Sequence, residues 1–189
     1  MKKNLGRQTY FFPLPVLIIA TYDEFGQANA MNAAWGGIHD TEEIFLCLSS
    51  DHKTTQNIMK KKAFTVSFAD RKHVVESDYF GIESGNVVVD KISKANMNVH
   101  RSSHIDAPII DEYPVALECQ VKSIIDNQEG STYIVASIIN VLADDEIVTG
   151  NGKLNMSKAG FITYDPVHHG YYVIGERVGN AFNDGLKIR

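Results

Sequence analysis

Cysteine is scarce: the 189 residues hold only Cys47 and Cys119, without C-x-x-C spacing. That excludes a disulfide framework and a paired-thiol redox motif. Both lie in apolar strand-like segments, FLCLS and ALECQV, where a small buried thiol is expected. No apolar run approaches the ~20 residues that span a bilayer, and a signal peptide is not expected because Arg7, Gln8 and two prolines interrupt MKKNLGRQTYFFPLPVLIIATYDE. A soluble, cytoplasmic protein follows as the expectation. Positive charge is also short, with 18 Lys and Arg against 23 Asp and Glu and a net charge of −5, so neither nucleic acid nor a membrane surface is an expected partner. The one cationic run, Lys60 to Lys62, reads as the solvated end of a helix.

Chemical signatures are equally sparse. G-x-G-x-x-G and G-x-x-x-x-G-K-[ST] are absent, which removes the two familiar phosphate loops. Ser84, in ESG, lacks the second-position glycine of a nucleophile turn, and no paired carboxylates stand out, so no catalytic side chain is assigned. Seven histidines are present. Yet RSSHIDAP does not read as a helix that would place His100 and His104 on one face beside Asp106. Adjacent His168 and His169 would point to opposite sides of a strand, so no metal site is expected.

What the chain does have is strand. VLIIATYD (16–23), EIFLCLSS (43–50), AFTVSFA (63–69), YPVALECQVKSIID (113–126) and STYIVASIINVLAD (131–144) are rich in β-branched and aromatic residues. The last two form an expected long hairpin across DNQEG, with Gly130 free to take a positive φ. Helical patterns are shorter, near 54–62, 72–80 and 93–96. With 44% hydrophobic residues, this length closes one core. The expectation is a single mainly β domain over 1–189, an antiparallel barrel with a few helices.

One polar cluster interrupts this pattern. SSDHKTTQNI (49–58) sets Ser49, Ser50, Lys53, Thr54 and Thr55 between a strand and a helix start. Two readings stand. Free N–H groups, hydroxyls and the Lys53 ammonium suit a phosphate dianion; alternatively Ser50, Asp51 or Thr54 merely caps the helix.

Motifs in order resemble a known family. FGQANAMNAAWGG (25–37), HKTTQNI (52–58), GIESGNVVVDKISKANM (81–97), DAPIIDEYPVALECQV (106–121) and YDPVHHGYYVIGERVGNAFNDG (164–185) are together similar to the flavin reductase-like, FMN-binding split-barrel proteins, and the last to their flavoredoxin-like branch. The resemblance implies an antiparallel split β-barrel, homodimeric, with FMN near the subunit interface. It implies that Lys53, Ser49, Ser50, Thr54 and Thr55 grip the FMN phosphate. Asn29, Met31, Asn32, Ala33, Ala34 and Trp35 would lie against the flavin, where small side chains let backbone groups reach the ring, and Lys91 would stand near its polar edge. Each has a plainer reading. Trp35 could anchor a core or an interface, Asn29 and Asn32 could serve turn geometry beside Gly26, Lys91 could form a solvated pair with Asp90 after a strand-like NVVV, and Tyr164, Tyr171 and Tyr172 could be packing. Two departures matter. Ser131 and Thr132 stand where many relatives carry a His, so a nicotinamide contact there is not carried over, and Asn32 replaces a frequent Thr or Ser. The implied activity is an FMN-dependent oxidoreductase that takes hydride from NADH or NADPH and serves a small-molecule or protein electron acceptor. Its rivals are an FMN electron carrier and a non-catalytic barrel.

Overall fold

A computed structural model describes residues 1–127 and 129–188. Gln128, inside the expected DNQEG turn, and Arg189 lie outside the described residues. The strands are β1 (Leu14–Pro15), β2 (Leu17–Tyr22), β3 (Ala28–Ala33), β4 (Gly36–Asp40), β5 (Glu43–Ser49), β6 (Ala63–Phe68), β7 (Val99–Arg101), β8 (Pro108–Ile110), β9 (Val115–Asp126), β10 (Ser131–Ala143), β11 (Ile162–Asp165) and β12 (Gly170–Val173). The helices are α1 (Lys53–Lys61), α2 (Val74–Ile82), α3 (Lys91–Lys94) and α4 (Met156–Ala159). Five expected strands and three expected helices lie where the patterns put them, within a few residues. NVVV (86–89) is not a strand but part of an irregular turn-rich segment, a correction to the β-propensity reading. Three valines without pairing partners on either side do not make a strand.

Seven antiparallel strands run in the order β3-β2-β6-β9-β10-β5-β4. The two edge strands, β3 and β4, are separated in sequence by Ala34 and Trp35 alone. The three Cα steps from Ala33 to Gly36 reach roughly 11 Å at most. The sheet must therefore curl until its edges nearly meet, and since β3 and β4 do not pair, a seam stays open between them. Register shifts between β9 and β10, at Val135/Ala136 and Ile138/Asn140, are irregularities of the kind that let long strands bend around such a barrel.

Burial explains why VLIIATY looks continuously apolar. All six residues of β2 are buried. Leu17 and Ile19 face the barrel interior with Leu46, Phe64, Val66, Cys119 and Ile134, while Ile18, Ala20 and Tyr22 face an outer layer with Phe80, Ile92, Met97 and Ile110. A strand covered on both sides loses its alternation. Beyond this layer, β1, β11 and β12 form a small sheet in which Tyr164 is the register partner of Leu14 and of Tyr171. Among the described residues, no helix is long and apolar enough to cross a membrane.

Candidate functional site

The barrel seam is lined by β3 on one side and opens onto the start of α1. That start carries no side-chain cap: His52 takes the N-cap position in an extended conformation (φ −67°, ψ 135°) and no side chain accepts from the first turn. This corrects the capping alternative. Ser50 turns elsewhere, its Oγ 2.8 Å from Thr132 Oγ1. A helix of nine residues thus presents its uncompensated N–H groups and positive dipole end to the seam.

Beneath it, Asn29 sits in a strand rather than a turn. Its buried amide Nδ2 donates to Thr54 Oγ1 at 2.6 Å. Because Thr54 Oγ1 is the acceptor there, its own proton is free to point away from Asn29. Asn29 Oδ1 and Thr55 Oγ1 are buried without a hydrogen-bond partner among the described residues. Orphaned buried polar atoms cost stability unless something supplies a partner. Lys53 Nζ stands 3.9 Å from Asp23 Oδ2, too long for an ammonium–carboxylate hydrogen bond. The two form an ion pair without a hydrogen bond, so the ammonium's N–H donors are not taken up by Asp23.

Three contiguous cavities share Asn32. The first, about 140 Å3, joins Met31, His52, Lys53 and Thr54 to the segment Gly81–Gly85 and to Lys91. The second, about 280 Å3, runs over Ala33, Ala34, Trp35, Cys47, Ser49 and Ser131. The third, about 330 Å3, is walled by Ala33, Ala34, Asp78, Gly81, Tyr164, His169 and Tyr171. The first alone is below the size of a small-molecule site; together they form a groove within the ordinary range. Asn32 is fixed by donating to Ser77 O at 3.0 Å and to Tyr171 Oη at 3.4 Å, so neither asparagine serves the Gly26 turn. Folding thus places ten of the twelve candidates along one groove or directly under it; Ser50 pairs with Thr132, and Thr55 lines none of the three cavities.

Lys91 departs from its plainer reading. It is 2% exposed, and its Nζ donates to Glu83 O at 2.8 Å and Phe80 O at 3.2 Å, while Asp90 pairs with Lys94 instead. Burial pulls its pKa down to about 8, against a smaller opposing pull from Glu83. The ammonium staples the C-terminal end of α2 to the groove wall. Trp35 is 58% exposed, so it anchors no core within this chain. Cys119 is buried, its pKa pushed up to about 12 by that burial, but Cys47 is only half-buried and lines the groove. The histidines disperse: His100 pairs with Asp111, His104 with Glu118, His168 with Asp165 and His169 with Tyr164.

Sequence reasoning gave no role to Gly85, Asp78 or His52. Gly85 lies in the family-like GIESGNVVVDK segment, but what constrains it is Asn29, fifty-six positions earlier.

The comparisons bear on this groove. The family model for the flavin reductase like domain matches residues 9–159. The chain belongs to the flavin reductase-like family. Among solved structures, this flavin reductase-like chain is similar to the flavoredoxin of Desulfovibrio vulgaris (Miyazaki F), at 32% identity and a TM-score of 0.92 over 98% of this chain and 100% of that one. A flavoredoxin from Methanosarcina acetivorans aligns over 100% of both chains at 22% identity and a TM-score of 0.90. An FMN-binding domain of a flavin reductases-like enzyme from Shewanella baltica follows at 20% identity and a TM-score of 0.77, over 88% of each chain. Among curated proteins none matches. The fold is the antiparallel split barrel expected from the sequence, with the split lying between β3 and β4.

Proposed function

We propose that this protein binds FMN in the seam groove and acts as an oxidoreductase, taking hydride from NADH or NADPH and passing electrons to a second acceptor. The observation that carries the reading is the uncapped α1 terminus, with Lys53 at its mouth, beside the orphaned Asn29 Oδ1. A phosphate suits the donors at this end, and FMN carries one. Bound FMN would supply the hydride-accepting ring and a store of two electrons. The chain's own part is placement. Lys53, Thr54 and the α1 N–H groups hold the anionic end, with Ser49 at the groove edge. Ala33 and Ala34 keep the wall thin enough for backbone polar groups to reach the ring edge, and Asn32, held from two sides, keeps that wall from shifting. Trp35, Ile38, Phe45 and Tyr133 stay exposed beside the seam, which supports a homodimer with the cofactor near its interface. A cytoplasmic location is part of the proposal.

Stopped-flow mixing of FMN-loaded protein with NADH and NADPH tests the hydride step. Bleaching within the mixing time range of the instrument supports the reductase; inertness to both leaves the electron-carrier reading. That second reading is favoured by the likeness to a flavoredoxin over 98% of the chain.

Two predictions arise here. Lys53→Ala is expected to weaken FMN binding by about 1–3 kcal/mol, the range of a charge-assisted hydrogen bond, with an unchanged circular dichroism spectrum. Unchanged affinity in a fluorescence titration would contradict the phosphate assignment. The second concerns pH. Lys91 carries its positive charge below about 8 and sheds it above. FMN affinity should therefore fall as pH rises from 7 to 9, and Lys91→Met, which keeps the apolar stem, should flatten that dependence.

A further inference from the structure

The third cavity carries a polar cluster that cofactor binding does not use. Tyr164 Oη lies 2.8 Å from His169 Nδ1, and Tyr171 Oη donates to Asp78 Oδ1 at 2.8 Å. The two tyrosine rings are 5.9 Å apart across the β11–β12 pair. Burial, reinforced by Asp78, pushes the Tyr171 pKa up to about 12, so that hydroxyl stays a fixed donor to the carboxylate. His169 is held at φ 54°, a left-handed conformation that is strained for a residue other than glycine.

We infer that this cavity seats the second substrate, a neutral quinone, and that the Tyr164–His169 pair hydrogen-bonds its carbonyl oxygen and then delivers the proton. The inference rests on the flavin reading, because the cavity is useful only beside a reducing ring. Size supports it: about 330 Å3 suits a single substituted ring and not a dinucleotide. Charge supports it too. Asp78 is the one acidic group in the lining and neither Lys nor Arg belongs to it, so anionic acceptors are disfavoured. Ala33, Ala34 and Gly81 leave a low wall against which a flat ring can lie.

Proton supply does not depend on the histidine tautomer. If Tyr164 donates to His169 Nδ1, the exposed Nε2 carries the hydrogen; if His169 donates from Nδ1, the Tyr164 hydroxyl is free to do so. In the second arrangement the balance is simple. The bound flavin, reduced beforehand by a pyridine nucleotide, would supply a hydride to one carbonyl oxygen of the quinone. The ring's π electrons shift to the other oxygen, whose new O–H bond forms as that of Tyr164 breaks. Tyr164 recovers a proton from His169 Nδ1, and Nε2 takes its replacement from water. The product is the hydroquinone.

The test reduces FMN-loaded protein with dithionite and follows reoxidation by duroquinone and, separately, by ferricyanide, which takes electrons without a proton. Tyr164→Phe and His169→Gln should slow the duroquinone reaction by at least about tenfold, the low end for general acid catalysis, and leave ferricyanide unaffected. Bound FMN, read from absorbance, should be equal in all three proteins. A second readout is the His169 ring resonance, assigned through His169→Gln, which should shift saturably on adding duroquinone to the oxidised protein. Equal slowing with both oxidants, no slowing, or a resonance that moves with NADH but not duroquinone would overturn the inference. If the chain takes up no FMN, the flavin reading fails by itself, and the same titration on the flavin-free protein decides the cavity: no shift refutes it.

Discussion

Gly85→Ala is expected to weaken FMN binding about a hundredfold, with the barrel intact. A Cβ placed on Gly85 would stand 2.1 Å from Asn29 Oδ1, 2.8 Å from Asn29 Cγ and 3.1 Å from Lys53 Cβ. None of these atoms can swing aside cheaply. Asn29 is buried in β3 and tied to Thr54, and the Gly85 segment is anchored by Asn86 Nδ2, which donates to Asp51 O at 2.9 Å. Something must move, and each candidate for movement belongs to the phosphate end of the groove. A displacement on the order of 1 Å is enough to break a charge-assisted hydrogen bond, worth about 1.5–3 kcal/mol, the upper part of which is a hundredfold loss in affinity. The stability cost should be modest, about 1–3 kcal/mol for overpacking at one site. Gly150→Ala, where a Cβ would meet open space, serves as the control and should change neither quantity. A double-mutant cycle sharpens the test: in Asn29→Ala the clashing amide is gone, so adding Gly85→Ala should cost little more than Asn29→Ala alone. Full additivity would mean that the glycine acts through some other contact.

Much of this molecule was legible in the residues. The long β9–β10 hairpin and the strand–turn–helix at 49–58 follow from local pattern, and Gly130 does take a positive φ, +93°. Local pattern failed where a distant partner decides. NVVV has strand propensity, but among the described residues it pairs with no strand. For Lys91 the local pattern alone offered a solvated pair with Asp90; instead the chain turns there and drives the side chain under α2, where two carbonyls replace water, while the residue still lines the groove as the family resemblance implied. β3 was read for its asparagines, not as a strand, because ANAMNA mixes small and polar residues whose burial is supplied by β2, α1 and α2. The site followed the same rule. Lys53 and its hydroxyl neighbours could be found from their spacing. Gly85 and Asp78 could not, because each gains meaning only from a residue far away in sequence, Asn29 and Tyr171 respectively.

Removing the carboxylate of Glu118 should produce the largest loss of stability, on the order of 3–5 kcal/mol for Glu118→Ala. Glu118 is 0% exposed in the middle of β9, away from the groove. Its two oxygens take hydrogen bonds from Ser102 Oγ, from Asn140 Nδ2 at 2.5 Å and from His104 Nδ1 at 3.0 Å. Alanine would strand these groups and leave a cavity among them. Glu118→Gln keeps the shape and one good acceptor, so about 1–2 kcal/mol is expected for it. The charge has a pH signature. Burial by itself would raise the Glu118 pKa, but the hydrogen bonds from Ser102 and Asn140, together with His104, outweigh it and hold the carboxyl below its ordinary value. With the folded value below the unfolded one, the folded state binds fewer protons in that interval. The stabilisation is thus complete above the unfolded carboxylate value and disappears as pH drops through the folded one. Urea midpoints measured at neutral pH and across the acidic range should show the wild type losing more stability on acidification than Glu118→Gln. Parallel acid profiles for the two proteins would show that the buried charge contributes nothing, and that the network acts through shape alone.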